Sequence, residues 1–416
     1  MAETKKQGFF YGYIIVIACF VMMVMWWGSF HSFAVFFEPL LNEFGWSRAI
    51  TAGTFSTLGL LFGLYSIPIA RLCNIFSPRF IIGGCGFLGG LGYILMSQVN
   101  AIWQMYLFYG VLIAIGMGGY ISILPIVARW FVHKRGLMTG IVFSGMGIGM
   151  VVVPPLVSKL IEIYGWRIAY VIIGAVTMAG VVIGSQFLKR DPAQTGYVPS
   201  HPNDVTRRPV MSDVSYKQSL RKTQFWILGA LYFVYLISHN VATVHIVIYA
   251  TGLGISPLNA ASLLSIFGIF LIAGFNIIGI ASDKIGNKNG FIISFIAMTL
   301  AFIVILSTTE PWILYLFVII LGFACGGMQM LFSPTVAELF GLRSHGEILA
   351  TAGFMGGIGS AVGAAMAGYV FDVTGNYSLA FAISAVLSAV AILLSWRLKP
   401  LFQNKTFQES ERNNTV

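Results

Sequence analysis

The chain has 416 residues, of which 57% are hydrophobic and only 9% charged, against about 25% charged in an ordinary soluble protein. So few charges cannot cover a globule of this size in water. That excludes a disordered chain, a nucleic-acid-binding domain and a water-soluble enzyme, and makes lipid the solvent for most of the chain. The formal charge of +10 then reports topology, because Lys and Arg collect in the cytoplasmic loops of membrane proteins.

A membrane helix needs about 20 apolar residues. Runs of that length predict six spans in the first half, over about 12–38, 50–70, 80–99, 102–127, 137–161 and 166–188. A polar stretch rich in Pro, Asp, Arg, Lys and Ser follows, from Lys189 to about Thr223. Six more runs cover about 225–251, 258–281, 289–307, 311–333, 348–371 and 377–396. The fold class is therefore an all-α membrane protein of twelve helices. Residues 1–188 form one six-helix bundle, 189–223 a cytoplasmic linker, 224–398 a second bundle and 399–416 a cytoplasmic tail. The first run far exceeds the apolar core of a signal peptide, and no small-residue cleavage site follows it. With both termini inside, 21 of the 24 Lys and Arg residues fall on the cytoplasmic side; only Arg48, Lys159 and Arg167 fall outside. The positive-inside rule thus supports an even number of spans.

The halves repeat each other at an offset of 209. The stretch Ala70-Arg71-Leu72-Cys73-Asn74-Ile75-Phe76-Ser77-Pro78-Arg79 after the second span meets Gly279-Ile280-Ala281-Ser282-Asp283-Lys284-Ile285-Gly286-Asn287-Lys288 after the eighth. Pro125 in the fourth span meets Pro334 in the tenth, and Tyr164-Gly165-Trp166-Arg167 parallels Thr374-Gly375-Asn376-Tyr377. Two six-helix halves joined by a long polar loop resemble the major facilitator superfamily. That resemblance implies a transporter whose substrate sits between the halves near mid-membrane while the halves rock about it. The loop motif of that superfamily is intact in the second half (Gly279, Asp283, Lys284, Gly286) and has drifted in the first (Ala70, Asn74, Ile75, Ser77). A conformational latch is accordingly expected at Asp283 and Lys284, with Arg129 and Glu338 as symmetry-related partners at the inner ends of the fourth and tenth spans; ordinary turns are the alternative.

Three stretches resemble the monocarboxylate-transporter family and its bacterial relatives. They are Phe9-Phe10-Tyr11-Gly12-Tyr13, Phe44-Gly45-Trp46-Ser47-Arg48-Ala49, and Arg129-Trp130-Phe131-Val132-His133-Lys134-Arg135-Gly136-Leu137-Met138-Thr139-Gly140. The resemblance implies proton-coupled transport of a small monocarboxylate such as lactate or pyruvate, and a bacterial inner-membrane location. It also locates a departure. The family's Asp and Arg in the eighth span fall at Leu271 and Phe275 here, and a Lys common in its first span falls at His31.

No Lys or Arg lies away from span ends, so a bound anion must rely on other donors. His31 and Asn240 are symmetry mates, as are Tyr120 and Gln329. With His239, Phe275 and Asn276 these are the expected substrate-binding residues, and Ser32 and Thr243 add possible hydrogen bonds. His31 and His239 are expected to carry the proton, since an unperturbed imidazole titrates near pH 6.5. His245, nearer the outer end of the seventh span, reads better as structural. Transport of a neutral or apolar molecule stays open as the alternative, because the Arg is missing. The four cysteines, Cys19, Cys73, Cys85 and Cys325, show no metal or redox spacing, and no phosphate-binding loop is present. No enzyme activity, cofactor, metal or nucleic-acid partner is expected; the partners are a small molecule, a proton and the bilayer, and the protein is expected to act as a monomer.

Overall fold

The computed structural model describes residues 11–131, 135–189, 214–307, 310–341 and 344–398; within these, the side chains of 67, 70, 74, 121, 124, 125, 128, 129, 135–137 and 283 are not described. Backbone polar groups in lipid must be satisfied within their own segment, and every described membrane-length element is a helix. Eleven helices are long and apolar enough to cross a membrane. One of them, Arg135–Gln186, contains Gly165 at φ 80°, ψ 162°, which no helix accommodates. Its 52 residues would extend about 78 Å at 1.5 Å per residue, more than twice the hydrocarbon core. The chain reverses at Gly165, and the helix is two spans, giving twelve.

In chain order, span 1 is Gly12–Phe44, span 2 Arg48–Ile75 and span 3 Pro78–Met96. Span 4 covers 102–130, span 5 135–164 and span 6 166–186. Span 7 is Thr223–Gly252, span 8 Pro257–Ile285, span 9 Asn287–Ser307, span 10 Trp312–Phe340, span 11 His345–Thr374 and span 12 Ser378–Trp396. The expected boundaries are met within a few residues, except that spans 1 and 10 run six or seven residues further. The face at which the described chain starts is called the terminal face here, and the opposite one the distal face. Glycines at positive φ terminate or reverse helices at equivalent places in the halves: Gly45 and Gly254, 209 residues apart, and Gly165 and Gly375, 210 apart. The repeat is thus present in backbone conformation as well as in sequence.

Within each half, helices approach through small residues. Apolar contact brings no hydrophobic gain between helices in lipid, so close van der Waals packing must supply the attraction. A Cβ on Gly116 of span 4 would overlap the backbone of Gly89 in span 3. One on Gly326 of span 10 would overlap the carbonyl of Leu271 in span 8, and one on Gly274 that of Phe323. Distal polar groups brace the first half. Glu43 accepts from Trp166 Nε1 and Arg167 Nη2, each at 2.5 Å, and Arg167 also reaches the carbonyls of Ser97 and Val99. In the second half the short helix Tyr216–Ser219 leads into span 7, and the Val214 N–H donates to the Phe340 carbonyl at the end of span 10.

Span 4 is the irregular one. After one α-helical turn, Ile102–Met105, it widens to a π-helical stretch, Tyr106–Leu112, and beyond a further α-helical turn tightens to 3₁₀ at Gly118–Ser122. Mid-helix stretches of this kind often mark a hinge or a functional site. Here the tight turn carries Tyr120 and is followed by Pro125, which has no N–H to give.

Gly326→Leu should abolish close packing of spans 8 and 10, since even smaller overpacking costs about 1–3 kcal/mol. The expected result is a melting temperature lowered by at least 5 °C, or loss of the monodisperse species, in detergent. Gly140→Leu, whose Cβ would meet nothing within 4 Å, should leave both unchanged.

Candidate functional site

The halves meet most tightly at the distal face. Ser47 caps span 2 by accepting from the Ile50 N–H at 3.3 Å. The two preceding N–H groups, of Arg48 and Ala49, have no acceptor in their own helix. Both donate to the carboxylate of Asp372 in span 11, at 3.0 and 2.8 Å. A carboxylate at a helix N-terminus is favoured by the exposed donors and by the helix dipole. The Arg48 guanidinium lies 3.7 Å over the Phe371 ring and donates to Tyr377 Oη at 2.7 Å.

The network continues inward. Tyr377 Oη is 3.1 Å from His245 Nδ1, and His245 Nε2 is 3.0 Å from the Ala364 carbonyl. Because that carbonyl can only accept, Nε2 carries hydrogen. His245 is therefore fully engaged in structure, as its position suggested. Thr251 of span 7 donates to Glu38 of span 1 at 2.7 Å and closes the neighbouring seam.

Away from this clamp the seam loosens. A Cβ on Gly59 of span 2 would stand 2.5 Å from Ser360 Oγ in span 11. One on Gly63 would stand 3.6 Å from Phe354, and one on Gly353 would meet nothing within 4 Å. The span 5–span 8 seam is close at Gly268, where a Cβ would lie 2.7 Å from the Gly147 carbonyl. Ser265 donates to the Val151 carbonyl there at 2.7 Å. The Asp372 hydrogen bonds between spans 2 and 11 are thus distal, and toward the terminal face that seam relaxes to ordinary contact.

At mid-membrane, rings from both halves form one chain. Phe62 stacks on Tyr120 at 5.4 Å, Tyr120 meets Trp27 edge-on at 5.5 Å, and Trp27 stacks on His31 at 5.9 Å. His31 then meets His239 of span 7 edge-to-face at 5.7 Å, across the boundary between halves. His239 contacts Tyr235 and Phe267, Tyr235 contacts Tyr232, and Tyr232 stacks on Phe332 at 3.9 Å. His31 and His239 are buried, whereas Phe62, Tyr120, Trp27 and Tyr232 are half-buried. Trp27 Nε1 and His239 Nδ1 are buried without a hydrogen-bond partner. A buried donor left unpaired costs about 1–3 kcal/mol, so a ligand's acceptor would gain at Trp27 Nε1, and at His239 Nδ1 when that nitrogen carries hydrogen.

The structure thus brings Tyr120, His31 and His239 together. Gln329 lies on the terminal side, half-buried, with Nε2 3.9 Å from Met146 Sδ of the other half. Phe275 lies near it, 6.0 Å from Phe143. Three residues are placed otherwise. Asn240 turns away from His239 toward span 11, donating to Ser360 Oγ at 2.7 Å and to the Leu236 carbonyl; its Oδ1 is unpartnered. Asn276 does not join the group: it is exposed on the same face as Ile269 and Ile280 and donates to its own helix at the Ile272 carbonyl. Thr243 spends its hydroxyl on the His239 carbonyl. Of the latch residues, the side chains of Asp283 and Arg129 lie outside the described residues. Lys284 is exposed, and Glu338 accepts from Asn287 at 2.6 Å, tying the span 8–span 9 loop to span 10 within the same half.

Sequence reasoning missed Tyr232 and Tyr235. Their signal was the 232, 235, 239 spacing, which puts two tyrosines on the helical face of His239. It also missed Asp372, whose partners are backbone N–H groups 324 and 323 residues away and leave no side-chain motif.

Two helical bundles clamped at one face, with a buried polar group between them, define a transporter architecture. The Major Facilitator Superfamily model matches residues 14–279 and 228–415, and the chain belongs to that superfamily. It is 27% identical over 395 residues to monocarboxylate transporter 12 of Xenopus laevis, covering 90% of this chain and 85% of that protein. Against monocarboxylate transporter 13 of Bos taurus it is 26% identical over 403 residues, covering 95% and 91%. An uncharacterized MFS-type transporter of Escherichia coli (strain K12), YhjX, is 24% identical, covering 76% and 78%. Among solved structures, a bacterial homolog of the human lysosomal transporter Spinster, inward-facing and occupied, superposes with a TM-score of 0.71. It is 17% identical and covers 93% of this chain and 96% of that one. The nucleoside transporter NupG gives 0.71 at 15% identity, covering 93% and 99%. The protein is a multi-pass membrane transporter with monocarboxylate-transporter relatives.

Asp372→Asn combined with Arg48→Leu should unseal the distal face. The four native cysteines are buried, so a cysteine placed at Ile248 of span 7 serves as reporter. Its labelling by a membrane-impermeant maleimide added from the distal side should rise at least threefold, and an unchanged rate would show that the clamp does not hold the gate.

Proposed function

We propose that the protein is a proton-coupled symporter of a small organic anion of the monocarboxylate class, working by alternating access. The observation that carries this reading is the buried His31–His239 pair, one imidazole from each half at 5.7 Å with His239 Nδ1 unpartnered. An unpaired anion at mid-membrane is too costly to bind, and no Lys or Arg lies near mid-span. A proton on the pair supplies the missing positive charge. Two like charges this close repel, so the pair holds one proton rather than two. Proton and anion then bind together, neutralise each other and leave together, which is symport at one proton per anion.

Alternating access follows from the seams. In the state described, the distal clamp is shut and the terminal side is looser. Breaking the Asp372 bonds to span 2 while the terminal ends approach would expose the same residues to the distal face. The Lys and Arg distribution supports cytoplasmic termini, which makes this state the inward-facing one. A bacterial inner membrane and a monomeric unit fit the sequence motifs and the self-contained two-bundle fold.

A second reading, transport of a neutral or apolar molecule, is favoured by one observation. Leu271 and Phe275 occupy the positions of the family's charged pair, and Phe275 packs against Phe143 across the boundary.

The deciding experiment reconstitutes the purified chain in liposomes with a pH dye inside. Addition of carboxylates outside should acidify the lumen above protein-free liposomes. His31→Ala and His239→Ala should each reduce that rate at least tenfold. A response to neutral isosteres with none to any carboxylate would overturn symport and establish the second reading.

A further inference from the structure

We propose that the mid-membrane site is selective for aromatic monocarboxylates, small acids whose carboxylate is carried on a planar π-system, over aliphatic ones of equal size. The inference rests on the anion-transport reading above and specifies its substrate class. The walls are the first observation. Phe62, Tyr120, Trp27, His31, His239, Tyr235, Tyr232 and Phe332 run as a continuous series of ring contacts from span 2 to span 10. Four of these rings, Phe62, Tyr120, Trp27 and Tyr232, are only half-buried although they lie inside the bundle. Each keeps part of its surface uncovered by other side chains. Rings that stack and meet edge-on among themselves present both faces and edges to an inserted ring, and aromatic pairs gain beyond the area they bury. A saturated body of the same volume gains only the area.

The polar complement is the second observation. Trp27 Nε1 can only donate, it is buried, and it has no partner. His239 Nδ1 is likewise buried and unpartnered, and becomes a donor when the imidazole is protonated. Both flank His31 within the ring series. A carboxylate satisfies such donors; a cation held by ring faces does not. The latter would also need an acidic side chain near mid-span, and the Asp and Glu residues of this chain all lie in the termini, linker or span ends. A hydroxy acid as small as lactate would reach the donors but leave the ring faces unpaired.

The test measures binding to the full-length protein in nanodiscs at pH 5.5 by calorimetry, with four probes: benzoate, cyclohexanecarboxylate, lactate and benzamide. Benzoate is expected to bind at least tenfold more tightly than lactate and at least threefold more tightly than cyclohexanecarboxylate, with benzamide weaker than benzoate. Trp27→Leu should erase the advantage of benzoate over cyclohexanecarboxylate, and Trp27→Phe should restore it while weakening both acids. Tyr232→Leu, on the other wall, should reduce the same ratio, and melting temperatures report whether each variant folds. Equal affinity for benzoate and cyclohexanecarboxylate, or for benzoate and lactate, overturns the aromatic selectivity while leaving anion transport standing. Benzamide binding as tightly as benzoate, or no binding by any carboxylate, overturns the anion reading and this inference with it.

Discussion

The two unpartnered N–H groups at the start of span 2 are the constraint on which the arrangement turns. A helix end in a membrane protein must find acceptors, and this one finds them in the other half of the molecule, on Asp372. The bond is worth having only when the halves are closed distally. It makes the tie between the halves conditional on conformation, as a rocking mechanism requires. Arg48 adds a ring contact and a hydrogen bond to Tyr377, and Tyr377 passes the restraint to His245 in the distal part of span 7. The same helix that holds the clamp therefore carries, six residues further in, the His239 that faces His31. A single rigid element joins gate and site.

The site itself reflects what lipid permits. Charges at mid-membrane are expensive unless paired, and this chain carries Leu271 and Phe275 in span 8 and no Lys or Arg near mid-span. What lies there instead is imidazole and indole. These groups are neutral when empty and still offer N–H donors, so the unloaded site can cross between states without an uncompensated charge. A fixed Arg would need an anion or a carboxylate partner during that return; under the proton-coupled reading proposed above, a titrating pair would only need to release its proton.

Much of the fold was legible in the sequence, for reasons that lie in the solvent. Span number and boundaries follow from hydrocarbon thickness, and Gly165 marks its reversal because a helix of 52 residues cannot be one span. Spans 1 and 10 run longer than their apolar cores because helices continue into the interface, where polarity no longer distinguishes inside from outside. That His31, His239 and Tyr120 come together was legible through register and symmetry. Asn276 was not, because a periodic reading places a residue on a helix without fixing how its amide is spent; here it bonds the Ile272 carbonyl of its own helix. Asn240 follows His239 by one residue and so points about 100° away, which turns it to span 11. The ring series was hidden because each aromatic, taken singly, reads as ordinary packing.

The turn at Gly165 has a consequence for how force travels. Spans 5 and 6 are joined with no intervening loop, and Arg167, just beyond the turn, is fastened to Glu43 and to the carbonyls of Ser97 and Val99. Span 5 is also the helix that lies against span 8 of the other half. Any tilt of span 5 as that seam slides is handed directly to span 6, and through Arg167 to spans 1 and 3, with almost no slack between them. Under the alternating access proposed above, the first half would then turn as a single lever, and His31 would move with it by an amount set by its distance from the span 5–span 8 crossing.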